Sequence, residues 1–139
     1  RRRLPALLEK HSPTLLVIEL GGNDGLRGYP TQKLEATLIA MSEMAPQAGV
    51  AVLILPMEIP PNYGPRYTTA FRETFHNAST STGSRLGPFL LEDIAVNPAL
   101  MQADGIHPVA EAQSLIVDNL ESVVRTSLTS ATAAKEQPL

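Results

Sequence analysis

Cysteine is absent from the 139 residues, which excludes disulfides, thiolate metal sites and cysteine nucleophiles together and leaves the fold to rest on packing. No apolar run approaches the ~18 residues of a membrane span. The first residues hold no apolar stretch followed by a small-residue cleavage site, so the sequence as it stands is expected to be soluble and to carry no address label. Lysine and arginine do not cluster along a helix face outside Arg1, Arg2 and Arg3, and the net charge is only -3, so nucleic acid is not an expected partner. Against these absences stand 139 residues, 43% of them hydrophobic, a chain long enough for one domain with its own core and too short for two. The expected organisation is a domain over residues 1–128 and a flexible tail over residues 129–139, where no periodicity is found.

The apolar pattern alternates between strand and helix. Leu4, Leu7 and Leu8 have helical spacing that stops before Pro13. Residues 15–20 form an apolar run bounded by Pro13 and Gly21, as a strand covered on both faces would. Leu34, Leu38, Met41, Ala45 and Ala48 predict one helix closed by Gly49, and residues 50–55 a second buried strand. Proline marks residues 57–64 as loop, and Tyr67, Phe71, Thr74, Phe75 and Ala78 mark the next helix. A third strand is expected over residues 85–90, a short turn or helix over 91–96 and a loop over 97–108. A last amphipathic helix then follows, with Val109, Ala112, Leu115, Ile116, Leu120, Val123 and Val124 on one face and Pro108 in its first turn. Such alternation gives an α/β layered fold around a parallel sheet, with ligands bound beyond the carboxyl ends of the strands. That rule gathers residues 21–30, 56–64 and 97–108 on one rim.

Asp104, Gly105, Ile106, His107 and Pro108 lie in the last of these loops. A carboxylate three residues before a histidine in a turn can accept the Nδ1 proton, fix the imidazole tautomer and stabilise the cation formed when Nε2 takes a proton. The plainer alternative is an Asx turn beside an exposed histidine. In the first loop, Gly21 and Gly22 permit close backbone approach, with Gly22 a candidate substrate contact, and the Asn23 amide can donate to a developing oxyanion. The alternative there is an ordinary strand exit. Neither phosphate-binding glycine pattern is present, and Asp24 would repel phosphate. Ile59 and Tyr63 either line a pocket for an acyl or aryl group or merely pack. His11 and His76 lie far from His107 in the chain, so no metal site is expected. Asn77-Ala78-Ser79 matches a glycosylation triplet, a pattern common by chance.

Together, the stretch Glu19-Leu20-Gly21-Gly22-Asn23-Asp24-Gly25-Leu26-Arg27-Gly28 and the stretch Asp104-Gly105-Ile106-His107-Pro108 resemble the third and fifth sequence blocks of SGNH (GDSL) hydrolases. Pro61-Asn62-Tyr63-Gly64 adds to the likeness, which is nearest the bacterial thioesterase I, lysophospholipase and arylesterase group. The resemblance implies a three-layer, flavodoxin-like parallel sheet with helices on both faces, of strand order 2-1-3-4-5, lacking its first strands here. It implies His107 as general base, Asp104 as its orienting acid and Asn23 as oxyanion donor. A mobile loop at residues 25–28 and an acyl surface bordered by Ile59 and Tyr63 complete the expected site. The reaction would be transfer of an acyl group from a small ester or thioester to a serine, then hydrolysis, with no metal or organic cofactor.

The departure from that family is its first block, a strand ending in Gly-Asp-Ser, and its second, which bears an oxyanion glycine. Ser12, Ser42, Ser79, Ser81 and Ser84 stand in the wrong contexts to replace the nucleophile. With only the last three family strands, residues 15–20 would form an unpaired edge, and a homo-oligomer through that strand is expected. If the family's export signal precedes this segment, the compartment would be the periplasm or the outside of a bacterium.

Overall fold

The computed structural model describes residues 1–47 and 49–136. Its centre is a parallel sheet of three strands, β1 (Leu15–Ile18), β2 (Ala51–Ile54) and β3 (Arg85–Leu86), in the order β1-β2-β3. The register pairs Ile18 with Ile54 and Ile54 with Leu86, so the strands end together on one rim. Period-two alternation sends Leu16, Ile18, Val52, Ile54 and Leu86 to one face. There they meet Leu4 and Leu8 of helix α1 (Leu4–His11), Leu34 and Leu38 of helix α3 (Thr31–Ser42), and Phe71 and Phe75 of helix α5 (Pro65–Thr82). Phe75, Leu53 and Ile54 are fully buried. The long helix α6 (Gln113–Glu136) lies against β2 and β1.

The layered, parallel α/β architecture is the expected one, and the differences from the expected elements have local causes. The helix expected to run unbroken to Ala48 instead ends at Ser42, followed by α4 (Met44–Gln47). Pro46 lacks an N–H, and its ring would clash with the Ser42 carbonyl of a continuous helix. Ala48 itself lies outside the described residues. β3 covers two residues rather than residues 85–90, because Pro88 cannot donate to a ladder and the Gly87 N–H to Ile54 carbonyl bond, 2.8 Å, is the last one before it. Residues 22–26, expected as loop, form a one-turn helix α2 (Gly22–Leu26).

Two further corrections concern the carboxyl-terminal part. Pro108 is not in the first turn of the last helix. It forms an antiparallel bridge with Met101, and the helix is entered through a 3₁₀ turn at Ala110–Ala112. Helix α6 also continues through the stretch expected to fray, as far as Glu136. There the side-chain hydroxyls of Ser127, Thr129, Ser130 and Thr132 donate to carbonyls four residues back, which keeps polar groups satisfied without leaving the helix. Residues 137–139 of the expected tail lie outside the described residues.

Candidate active site

The chain from Met101 to Pro108 is a closed turn at the rim of the sheet. The Gln102 N–H donates to the His107 carbonyl at 2.7 Å, and the Gly105 N–H donates to the Gln102 carbonyl at 2.9 Å. Gly105 sits at φ +66°, a left-handed conformation that costs a side-chain-bearing residue ~1 kcal/mol or more. Inside this turn Asp104 Oδ1 accepts the backbone N–H groups of Ile106 (2.9 Å) and His107 (3.0 Å). Its Oδ2 lies 2.7 Å from His107 Nδ1.

The hydrogen bond from the His107 ring, followed by those two backbone donors, holds the Asp104 carboxyl far below the usual carboxylate range. An ionised carboxylate can only accept, so Nδ1 carries the proton, and in the neutral ring it is Nε2 that has the free lone pair. The His107 side chain is 68% exposed, which leaves Nε2 open to a reactant.

Beside this turn is a cavity of about 670 Å³ whose walls include Gly22, Leu26, Met57, Ile59, Met101 and Gly105. It joins the first and last rim loops in one space: Gly22 precedes Asn23, and Gly105 with Ile106 precedes His107. Asn23 is exposed on α2. Ile59 is buried and serves both as wall and as packing, since the space above Gly25 is closed by Ile59 Cγ2 and the Phe71 ring.

Tyr63 is not among the residues that line the cavity. It turns away, donates its hydroxyl to the Leu26 carbonyl at 2.7 Å and stacks at an angle against Tyr67, which donates to the Tyr29 carbonyl at 2.7 Å. Tyr63, just before α5, and Tyr67 within it together clamp the α2 loop. Burial, with Asp24 and Tyr63 adding, raises the Tyr67 phenol above its ordinary value. Glu58, also on the cavity wall, is held by Arg72 through two bonds of 2.7 Å.

A second hollow of about 460 Å³ lies by the opposite ends of the strands, among Gly49, Ala51, Arg85 and Ser130, and among the described residues no histidine or carboxylate borders it. Among the described residues no group of three or more histidine, aspartate or glutamate side chains is placed to hold a metal. None of the residues lining the larger cavity is a serine. Ser12 ends α1, Ser42 is buried within α3, Ser79 bonds to the Ser84 carbonyl, and Ser84 meets Thr82.

Residues 1–115 match the GDSL-like lipase/acylhydrolase family. The chain belongs to that family. Among its relatives, the esterase TesA of Pseudomonas aeruginosa is 46% identical over 118 residues, 85% of this chain and 59% of that protein. Thioesterase 1/protease 1/lysophospholipase L1 of Escherichia coli K12 is 41% identical over 116 residues, 84% of this chain and 56% of that protein. The chain thus spans less than two thirds of the curated relatives it matches. The crystal structure of the esterase EstA from a Pseudoalteromonas species, inhibited by monoethylphosphonate, superposes with a TM-score of 0.88 at 42% identity, covering 92% of this chain and 70% of that one.

Within this GDSL-family frame the sequence reading missed one wall of the cavity. Phe89, Leu91 and Val96 line it, the first from residues expected as strand and the others from the expected turn or helix. The signal was Gly87-Pro88, which ends the strand early and turns the following apolar residues into a rim loop. No helix among the described residues is long and apolar enough to cross a membrane.

Proposed function

We propose that this chain supplies the acid-base pair of an ester and thioester hydrolase working through a Ser-His-Asp relay whose serine lies outside residues 1–139. The observation that carries the reading is the 2.7 Å bond between Asp104 and His107 at the mouth of an apolar cavity shared with Gly22. His107 Nε2 removes the proton from the serine hydroxyl as its oxygen attacks the acyl carbon. Asp104 stabilises the imidazolium, and the Asn23 amide donates to the oxyanion, a contribution of ~3 kcal/mol in comparable sites. The imidazolium then gives its proton to the departing alcohol or thiol. Water, deprotonated by the same His107, releases the acid and restores the serine.

The substrate is a small acyl ester or thioester whose acyl group rests against Leu26, Ile59 and Met101 on the cavity wall. Tyr63 contributes by holding the loop that carries Asn23. The names of the relatives, an esterase and a thioesterase/lysophospholipase, support this substrate class. Fluorophosphonate labelling tests where the nucleophile lies. On this chain mixed with the stretch of the Pseudomonas aeruginosa relative that it does not span, the adduct is expected on the added stretch, and an adduct on a serine of this chain would overturn the assignment.

A second reading is favoured by a separate observation. Among the described residues β1 pairs on one side only, and Val17 within it and Leu20 just after it are 42% and 49% exposed. An apolar open edge invites a further strand. In this reading the chain is a catalytically silent module that self-associates through β1. Light scattering of the purified chain tests it, and a monomer at every concentration would rule it out.

A further inference from the structure

We propose that Gln102 is a positioning residue for His107, an inference that rests on the reading of His107 as general base. Three of the four polar groups of Gln102 engage the rest of its turn. Its N–H donates to the His107 carbonyl at 2.7 Å, and its carbonyl accepts the Gly105 N–H at 2.9 Å. Its side-chain Nε2 donates to the Pro108 carbonyl at 3.0 Å. From the start of the turn Gln102 therefore grips its middle and both residues at its exit.

This grip matters because little else aims the imidazole. The His107 side chain is largely open to solvent, and the side-chain hydrogen bond it makes among the described residues is the one to Asp104. Asp104 is itself fixed by the N–H groups of Ile106 and His107. The direction of Nε2 thus follows from the backbone of residues 104–108. That backbone is anchored on one side by the Met101 to Pro108 bridge and the Val109 N–H to Leu100 carbonyl bond of 2.9 Å. On the other side, the removable anchor is the Gln102 amide. Gln102 is exposed, and an exposed amide is free to hydrate, yet here it satisfies the Pro108 carbonyl. Cutting this bond removes the side-chain hold on the exit of the turn and leaves the two backbone bonds of the bridge and the core below in place. A displacement of ~1 Å at a catalytic group can cost about a hundredfold in rate.

The test is Gln102→Met, with Gln102→Ala as a second variant that removes the same bond with less bulk. The first readout is the tautomer of His107, measured by long-range ¹H–¹⁵N correlation from its ring protons and assigned by their loss in His107→Ala. The parent should show the Nδ1–H form, and both variants should move toward the Nε2–H form that a free imidazole prefers, with melting temperatures close to that of the parent. An unchanged tautomer in a folded variant would overturn the proposal. The second readout is hydrolysis of p-nitrophenyl butyrate by the chain mixed with the complementary stretch of the Pseudomonas aeruginosa relative. There kcat should fall about tenfold to a hundredfold with KM unchanged, and a rise in KM alone would contradict positioning. A tautomer shift in a mixture that shows no His107-dependent turnover would leave the positioning role standing and remove the hydrolase reading instead.

Discussion

Asp104 holds His107 from two directions, taking the ring Nδ1–H on one carboxylate oxygen at 2.7 Å and the His107 backbone N–H on the other at 3.0 Å. A single carboxylate therefore sets both the tautomer of the His107 ring and the bend of the chain that presents it. The turn and the ring share one partner, so changes at Asp104 should be felt in both.

The pH dependence of stability should show this. The folded-state carboxyl of Asp104 is depressed below its unfolded value, so its contribution is fully present above the unfolded range near ~4 and is lost as pH falls toward the folded value. Melting temperatures of the parent and of Asp104→Asn should differ at pH 5 to 7 and converge on acidification below about pH 4. A gap that stays constant over this range would contradict the assignment.

At Gly25, α2 packs directly against α5. A Cβ there would lie 2.6 Å from Ile59 Cγ2 and 2.7 Å from the Phe71 ring. Gly25→Ala should therefore cost about 1–3 kcal/mol by overpacking, read by denaturant titration. Gly22→Ala, whose nearest neighbour is the flexible end of Met57 at 3.0 Å, should cost less. Equal losses would show that the close approach at Gly25 is not rigid.

Removing the two tyrosine clamps should act on the α2 loop. Tyr63→Phe and Tyr67→Phe each delete one exposed hydroxyl bond to a backbone carbonyl of that segment, worth about 0.5–1.5 kcal/mol. Amide hydrogen exchange at residues 23–29 should speed up in the double variant while the strands stay protected. Unchanged exchange there would mean that the loop is held by other contacts.

The fold was legible where periodicity spoke without competition. Leu15, Leu16, Val17 and Ile18 form a strand because nothing interrupts the run, and Phe71, Phe75 and Ala78 fall on one buried face of α5. Proline defeated the pattern elsewhere. Pro46 broke a helix whose apolar spacing was continuous, and Pro88 cut a strand short, opening Phe89 and Leu91 to the cavity. The Asp104 to His107 contact was legible because three residues in a turn can bring two side chains together whatever surrounds them. The direction of Tyr63 was not, since it depends on a carbonyl at Leu26 that no local pattern reveals.

The open edge of the sheet makes a further prediction. β1 offers unpaired backbone groups beside Val17, so the purified chain should self-associate with rising concentration, and Val17→Lys should suppress it. Light scattering that gives the same mass for both proteins at all concentrations would contradict a role for this edge.

The most direct measurement is hydrolysis of p-nitrophenyl butyrate by this chain mixed with the stretch of the Pseudomonas aeruginosa relative that it does not span, alongside the same mixture made with His107→Ala. The account predicts turnover that the substitution lowers by about a thousandfold or more. Equal rates in the two mixtures would contradict it.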